Sequence, residues 1–381
     1  MLGKKKKIHR KKGVNVNGTF IPTSVVRHSS PGHEMNTMSE RLYIGIDLGT
    51  YQSTVMSSEG VMTTIETVVG KPKDPVARNF LGRDVVFGED AIKHRLACNL
   101  FRPLEHGVAQ DDEENLSAAK AFVTHLIENC DPEEYDEVLG VICSPSHISF
   151  TDKTNLVSIL RGLVNGIMVV SEPFAVAFGL DQIAGSIVVD IGAGTTDIAR
   201  IYGTFPTDDD QVTIEEAGDW LDHRLMNLIN KKYAGAQLTQ SMVRRWKEEG
   251  SYVGDDSHEF MVDLSVDGKK QNVDIGDLVR LACNELVPHI VEGVKNIVAG
   301  ADPEYQSVLR NNIILAGGGS LIGGLADRVA QHLADIGDVT VWCAEDPVVR
   351  VADGALKLLS LIHISEPTRR TPISYAVFCL K

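Results

Sequence analysis

The chain of 381 residues reads as an α/β protein with two similar lobes, and three observations predict this. Stretches with strand character alternate with helical periods along most of the sequence. A strand running straight into a Gly/Thr turn occurs twice, at Asp47 and again at Asp190, which points to an internal duplication. A third short strand, Asn312–Leu315, leads into Gly317-Gly318-Gly319-Ser320.

In order along the chain, Leu42–Asp47 alternates and is rich in Ile, Leu and Tyr, so it is predicted to be a strand. Gln52–Ser57 and Met62–Val69 follow as strands and complete a meander. Asn115–Glu128 has a helical period, and Glu137–Cys143 is a strand ended by Ser144-Pro145. Thr151–Leu163 is a helix, Ile167–Ser171 a strand and Pro173–Leu180 a helix. Ser186–Asp190 is almost purely β-branched and opens the second lobe. Helical patterns cover Trp220–Ala234, Thr239–Glu249 and Ile275–Ala299, and Trp220, Leu221, Leu225 and Met226 are read as core. After the triple glycine, Leu321–Ala334 is predicted to be a Ser-capped helix, and Val339–Cys343 a strand.

Composition narrows the function classes. The chain is 43% hydrophobic and 23% charged, which excludes collagen-like, disulfide-scaffold and globally disordered chains. The six cysteines (Cys98, Cys130, Cys143, Cys283, Cys343, Cys379) form no CxxC or Cys/His ligand spacing, so reduced, packed thiols are expected. No apolar run is long enough to span a bilayer or to follow Lys4–Lys12 as a signal, and a cytoplasmic body is expected.

The formal charge of −15 is uneven. Residues 1–37 hold eight Lys/Arg against Glu34, residues 359–381 hold three against Glu366, and residues 38–358 carry −24. An acidic body argues against nucleic acid as a partner. The basic stretch 1–37 lacks apolar periodicity and is expected to be a disordered tail, with contact to anionic lipid as the functional alternative. Residues 359–381 resemble a translated adaptor sequence and are expected to be foreign to the protein.

The chemistry is carried by the Gly-rich turns. In Asp47-Leu48-Gly49-Thr50 a strand ends at a carboxylate, and a glycine lets the backbone approach a ligand while N–H groups and a hydroxyl face phosphate oxygens. The second copy, Asp190-Ile191-Gly192-Ala193-Gly194-Thr195-Thr196-Asp197, frees the backbone on both sides and adds two hydroxyls. Asp47 and Asp190 are suited to share one Mg²⁺ between the lobes through water. The bland alternative is two independent β-hairpin turns. The turn at Gly317, Gly318, Gly319 and Ser320 offers a flat surface for a nucleoside. It is not GxGxxG followed by a distant acid, so a dinucleotide fold fits poorly.

Taken together, Asp47-x-Gly-Thr, Asp190-x-Gly-x-Gly-Thr-Thr-Asp and the Gly317–Gly319 turn resemble the actin, sugar-kinase and heat-shock-chaperone ATPase superfamily. Their spacing suits its actin branch. Gly82-Arg-Asp-Val-Val-Phe-Gly-Glu-Asp-Ala-Ile, Pro103-Leu-Glu-His-Gly-Val and Ala217-Gly-Asp-Trp-Leu-Asp are similar to bacterial actins. Ser171-Glu-Pro-Phe, Gly179-Leu-Asp, Asp210-Gln-Val-Thr and Pro303-Glu-Tyr-Gln resemble the subfamily that organises magnetosome chains. The resemblance covers about residues 39–358.

That resemblance implies an actin-like two-lobed fold, with duplicated RNase-H-like α/β core domains around a nucleotide cleft. Lobe I is expected at 38–180 with a small subdomain at about 71–100, and lobe II at 181–340 with one at about 224–275; residues 341–358 return to lobe I. ATP and Mg²⁺ are the implied ligands. Asp47, Gly49, Thr50, Tyr51, Gly192, Gly194, Thr195, Thr196, Gly317, Gly318, Gly319 and Ser320 would line the nucleotide, and Lys247 and Glu248 would reach ribose and adenine. Without the family, those last two read as a solvated helix face. Glu172 matches the residue that orients or activates the attacking water, with Asp190 beside it as catalytic; the plain alternative for Glu172 is a helix-start acid next to Pro173. His106 is given no catalytic role. Gln52-Ser53-Thr54 stands where actin places a lysine, so phosphate charge would be neutralised mainly by Mg²⁺.

The implied function is an ATP-hydrolysing cytoskeletal filament that associates head to tail with copies of itself. Its expected setting is the cytoplasm along magnetosome chains, with magnetosome-associated adaptor proteins as further partners. The alternatives are a rod-shape actin, a small-molecule kinase, which would need its own substrate carboxylate, and a chaperone ATPase, which would need a peptide-binding domain.

Overall fold

The computed structural model describes residues 40–109, 112–257 and 259–365; the tail expected at 1–37 and residues 366–381 lie outside that range. Strands β1 (Arg41–Leu48), β2 (Gln52–Ser57) and β3 (Met62–Glu66) form an antiparallel meander. Strand β4 (Glu137–Ser144) pairs parallel with β1, and β5 (Gly166–Ser171) parallel with β4, so the sheet runs β5-β4-β1-β2-β3. The second lobe repeats this plan. Strands β6 (Ser186–Ile191), β7 (Thr196–Ile201) and β8 (Gln211–Ile214) form the meander, and β9 (Ile313–Ala316) and β10 (Val341–Cys343) add in parallel. Its order, β8-β7-β6-β9-β10, is the first order again, so the duplication extends to every strand of both sheets.

Helices α1 (Glu113–Glu128) and α2 (Phe150–Leu160) cover the outer face of the first sheet, where Leu42, Ile44, Ile46 and Leu48 pack with Val123, Leu126, Leu156 and Ile159. Helix α3 (Glu172–Gly179) lies between the lobes. Helices α4 (Gly218–Lys232), α5 (Gln240–Gly250) and α6 (Gly276–Ala299) bury Leu221, Leu225, Trp246 and Leu286 against Ile187, Val189 and Ile191 of the second sheet. The last three helices are α7 (Pro303–Arg310), α8 (Leu325–Leu333) and α9 (Arg350–Ser365).

The lobes meet where α3 and α9 cross. Phe174, Ala175 and Val176 of α3 and Val351, Ala355 and Leu358 of α9 share one core with Val141 of the first sheet and Val188 and Ile314 of the second. A Cβ at Gly354 would stand 1.9 Å from the Ala175 carbonyl oxygen, so glycine lets the helix axes approach this closely. Both first strands, β1 and β6, point their carboxyl ends at the gap beside this crossing.

Several expectations are corrected. Met62–Val69 is not one strand: the Thr67 hydroxyl turns back to the Gly49 carbonyl (2.8 Å), and Val69–Pro72 joins a separate small sheet with Val86–Phe87 and Cys98–Phe101. The strand Val341–Cys343 does not begin a return to lobe I. It extends the second sheet, and the return starts with α9, which packs on β1 and α3. Helix α9 also continues past residue 358, with Leu359 buried in the shared core. The Ser-capped helix is replaced by a 3₁₀ turn (Gly318–Leu321), and α8 starts only after Gly324, whose φ of 78° interrupts the helical path. Of the five cysteines among the described residues, four are buried and Cys343 is exposed, none in a disulfide. No helix among them is long and apolar enough to cross a membrane.

Candidate nucleotide site

Three turns from the two sheets converge on one cleft of about 420 Å³. The first, at the end of β1, presents Gly49, Thr50 and Tyr51; the second, after β6, presents Gly192, Ala193, Gly194 and Thr195; the third, after β9, presents Gly317, Gly318 and Gly319. A Cβ on Gly194 would fall 2.5 Å from the Thr50 hydroxyl, and one on Gly317 2.3 Å from an Asp190 carboxylate oxygen. The glycines thus bring the turns against one another.

His106 and Gly107 tie the first two turns together. The Gly107 N–H donates to the Thr50 hydroxyl (2.9 Å), and the His106 Nδ1 bonds the Gly194 carbonyl across the lobes (3.0 Å), as a donor in that tautomer. His106 adopts a φ of 50° to do so. His106, given no catalytic role from the sequence, thus holds the two turns together.

Of the residues anticipated from the sequence, Asp47, Gly49, Thr50, Tyr51, Glu172, Asp190, Gly192, Gly194, Thr195, Lys247, Glu248 and the three glycines of the last turn all line the cleft. Two do not. Thr196 is fully buried and donates its hydroxyl to the Glu216 carbonyl (2.8 Å), because the second threonine already belongs to β7. Ser320 is buried as well, and its hydroxyl closes the turn onto the Gly317 carbonyl (2.7 Å). Sequence reading also passed over Arg244, which lines the cleft, and Asp197, which lies behind it. The helical pattern around Arg244 gives no sign that this face is buried, whereas Asp197 ends the second turn motif and was visible there.

Three carboxyl groups line the polar end of the cleft, Asp47, Glu172 and Asp190, and a fourth, Asp197, lies behind them. Burial pushes Asp47 up to about 7, and pushes Glu172 and Asp190 well above the ordinary carboxylate range. Each neighbour adds to the rise: Asp197, Asp47 and Asp190 act on Glu172, and Asp47 and Asp197 act on Asp190. Asp197 is also raised by burial, against hydrogen bonds from the Thr213 hydroxyl and the Ser146 N–H (both 2.6 Å). Its second oxygen has no hydrogen-bond partner among the described residues. Among the described residues no Lys or Arg forms an ion pair with these four groups, so protons or a bound cation are suited to offset their charge. Among the described residues no three His, Cys, Asp or Glu stand close enough to ligate a metal directly. The donor set therefore fits a hydrated cation, held partly by water, better than a protein-caged one.

The opposite end is basic but compensated. Lys247 pairs with buried Asp222 (2.7 Å) and donates to the Gly218 carbonyl (2.8 Å), and Arg244 pairs with Asp222 (2.9 Å) and Asp219. Burial raises Glu248, while Lys247 and Arg244 pull it back. Lys247 is therefore a fixed part of the cleft wall, and exposed Glu248 lies beside it at the rim.

Comparison with known proteins bears on the family and the fold. The model of the MreB/Mbl protein family matches residues 41–366. The actin-like protein MamK of Paramagnetospirillum magneticum is 38% identical over 319 residues, covering 84% of this chain and 92% of that protein. A MamK double helical filament superposes with a TM-score of 0.82 at 37% identity, over 84% of this chain and 99% of the other. A non-polymerising MamK mutant bound to AMPPNP gives a TM-score of 0.68 at 37% identity, over 85% and 100%. The chain belongs to the MreB/Mbl family of actin-like proteins.

Proposed function

We propose that this chain polymerises when it binds ATP, hydrolyses ATP to ADP and phosphate to control filament turnover, and organises magnetosomes into chains in the cytoplasm. The observation that carries the reading is the convergence of Thr50 from one lobe, Gly194 and Thr195 from the other and Glu172 beside them on one cleft. Backbone N–H groups and hydroxyls of the first two turns clamp the phosphates from both sides, so the bound nucleotide holds the lobes in one relative position. That fixed position makes a head-to-tail contact repeatable, and a contact between unlike faces grows into an open polymer.

In this reading Asp47 and Asp190 hold Mg²⁺ through water, and the ion supplies neutralising charge to the phosphate oxygens. Glu172 accepts a proton from the attacking water, or holds that water in line with the γ-phosphorus. Lys247 and Glu248 border the ribose and base. Partners are further copies of the chain and adaptor proteins on the magnetosome surface.

Sedimentation of the full chain with ATP, with ADP and without nucleotide tests the filament reading. Pelleting with ATP and Mg²⁺, reduced with ADP, is expected; no pelleting in any condition would overturn it. Imaging a tagged copy in magnetosome-forming cells tests the cellular role, with a line along the magnetosome chain as the expected result.

A further inference from the structure

Tyr51 follows Thr50 on the first phosphate turn, in lobe I, and its carbonyl is fixed by the Thr67 N–H (2.7 Å). Its ring reaches across to lobe II, where the guanidinium carbon of Arg244, on α5, lies 4.0 Å from the ring centroid. Neither side of this contact is free to swing. The Tyr51 hydroxyl donates to Glu66 (3.3 Å), and Arg244, only 6% exposed, is held by the Asp222 and Asp219 carboxylates. Asp222 is itself fully buried and shared with Lys247, so the cation is anchored to the floor of its own lobe. Both Tyr51 and Arg244 line the cleft.

A cation over an aromatic face gains most when both are shielded from water and already oriented. We propose that the Tyr51–Arg244 stack is a latch across the cleft that sets the rate of nucleotide exchange, because it must break each time the lobes part to admit or release a nucleotide. The inference rests on the nucleotide reading of the cleft. It differs from a simple binding contact in its kinetics: loss of a contact speeds release alone, whereas loss of a latch that closes the empty and the filled cleft alike speeds both entry and release.

Stopped-flow binding of a fluorescent ATP analogue to the full chain separates these cases. Tyr51→Ala is expected to raise the association rate by roughly five- to tenfold and the dissociation rate by at least as much, since Tyr51 also lines the cleft. Tyr51→Phe keeps the ring but loses the Glu66 hydrogen bond, so it should retain most of the slow association, while Arg244→Lys, which loses the flat face, should fall between Tyr51→Phe and Tyr51→Ala. Tyr51→Leu keeps bulk without the ring quadrupole and repeats the test should the alanine variant fold poorly, as judged by its melting temperature. A faster release with unchanged association, or no change in either rate, would overturn the latch. Wild-type protein that does not bind the analogue would overturn the nucleotide reading and the latch with it.

Discussion

Asp190 and Asp197 stand directly opposite each other across β6 and β7, whereas the equivalent register of β1 and β2 pairs Asp47 with Thr54. The duplicated sheets thus differ at the point that faces the phosphates. Two carboxylates on one sheet face repel when both are ionised, and burial raises that cost. Lobe II thus adds an opposed pair to an electrostatic strain that Asp47 of lobe I and Glu172 of α3 share.

This strain makes the stability of the ligand-free protein depend on pH. Asp47, Glu172, Asp190 and Asp197 all titrate above their unfolded values, near 4, so their stabilising contribution is complete below that range and is lost as pH rises through the folded values, about 7 for Asp47. The melting temperature without nucleotide should fall between about pH 5 and pH 8, and Mg²⁺ with nucleotide should restore it. A melting temperature that climbs steadily across this interval would contradict the burial of these groups.

Asp197 also braces the two lobes. Its first oxygen accepts from the Ser146 N–H, just past β4 of lobe I, and from the Thr213 hydroxyl of lobe II. Asp197→Ala strands both donors and should cost about 1–3 kcal/mol in chemical denaturation, partly offset by relief of the Asp190 repulsion. Asp197→Asn keeps a carbonyl oxygen for them and removes the charge, so it should be close to neutral, or stabilising above pH 7. Equal losses in the two variants would mean that the hydrogen bonds are not what matters.

Much of this was legible in the sequence because the informative residues lie close together in the chain. The turn at Asp190–Asp197 carries its glycines, hydroxyls and carboxylates within eight consecutive positions, and Ser186–Asp190 is buried on both faces and so reads as a continuous apolar run. The misses have physical reasons. Lys269–Asp274 is an edge strand of polar residues with no apolar alternation to betray it. Thr67 ends its strand through a hydroxyl bonded to Gly49, a partner far away in sequence. Ser320 satisfies the Gly317 carbonyl in its own turn instead of capping a helix, a choice that the dihedral angles at Gly317 and Gly324 decide. Arg244 belongs to the cleft only because buried Asp222, on a different helix, draws it inward.

The crossing of α3 and α9 has no room for another atom. A methyl group at Gly354 would collide with the Ala175 backbone, and no side-chain rotation can relieve a clash with a carbonyl. Gly354→Ala should therefore destabilise by about 3 kcal/mol in equilibrium unfolding, the upper part of the usual range for overpacking, although alanine is the better helix former. Because this crossing joins the two sheets, the variant should also change the affinity for nucleotide. A stabilised Gly354→Ala protein would show that the helices part easily here.

Glu172 distinguishes the two readings that its sequence position allows. It opens α3 beside Pro173, where a helix-start acid gains about 0.3–1 kcal/mol from the macrodipole and has a lowered pKa. Its carboxyl is instead held well above the ordinary range, because burial and the three neighbouring carboxylates outweigh the helix end. Removing it should therefore leave stability unchanged or slightly raised near neutral pH, where a capping role predicts a loss. If it handles the attacking water, Glu172→Ala should slow phosphate release by roughly 100-fold or more. ATP-driven pelleting would persist, and filaments would disassemble more slowly. Phosphate release at the wild-type rate would remove Glu172 from the chemistry, and a lowered melting temperature alongside it would return Glu172 to the role of a helix-start acid.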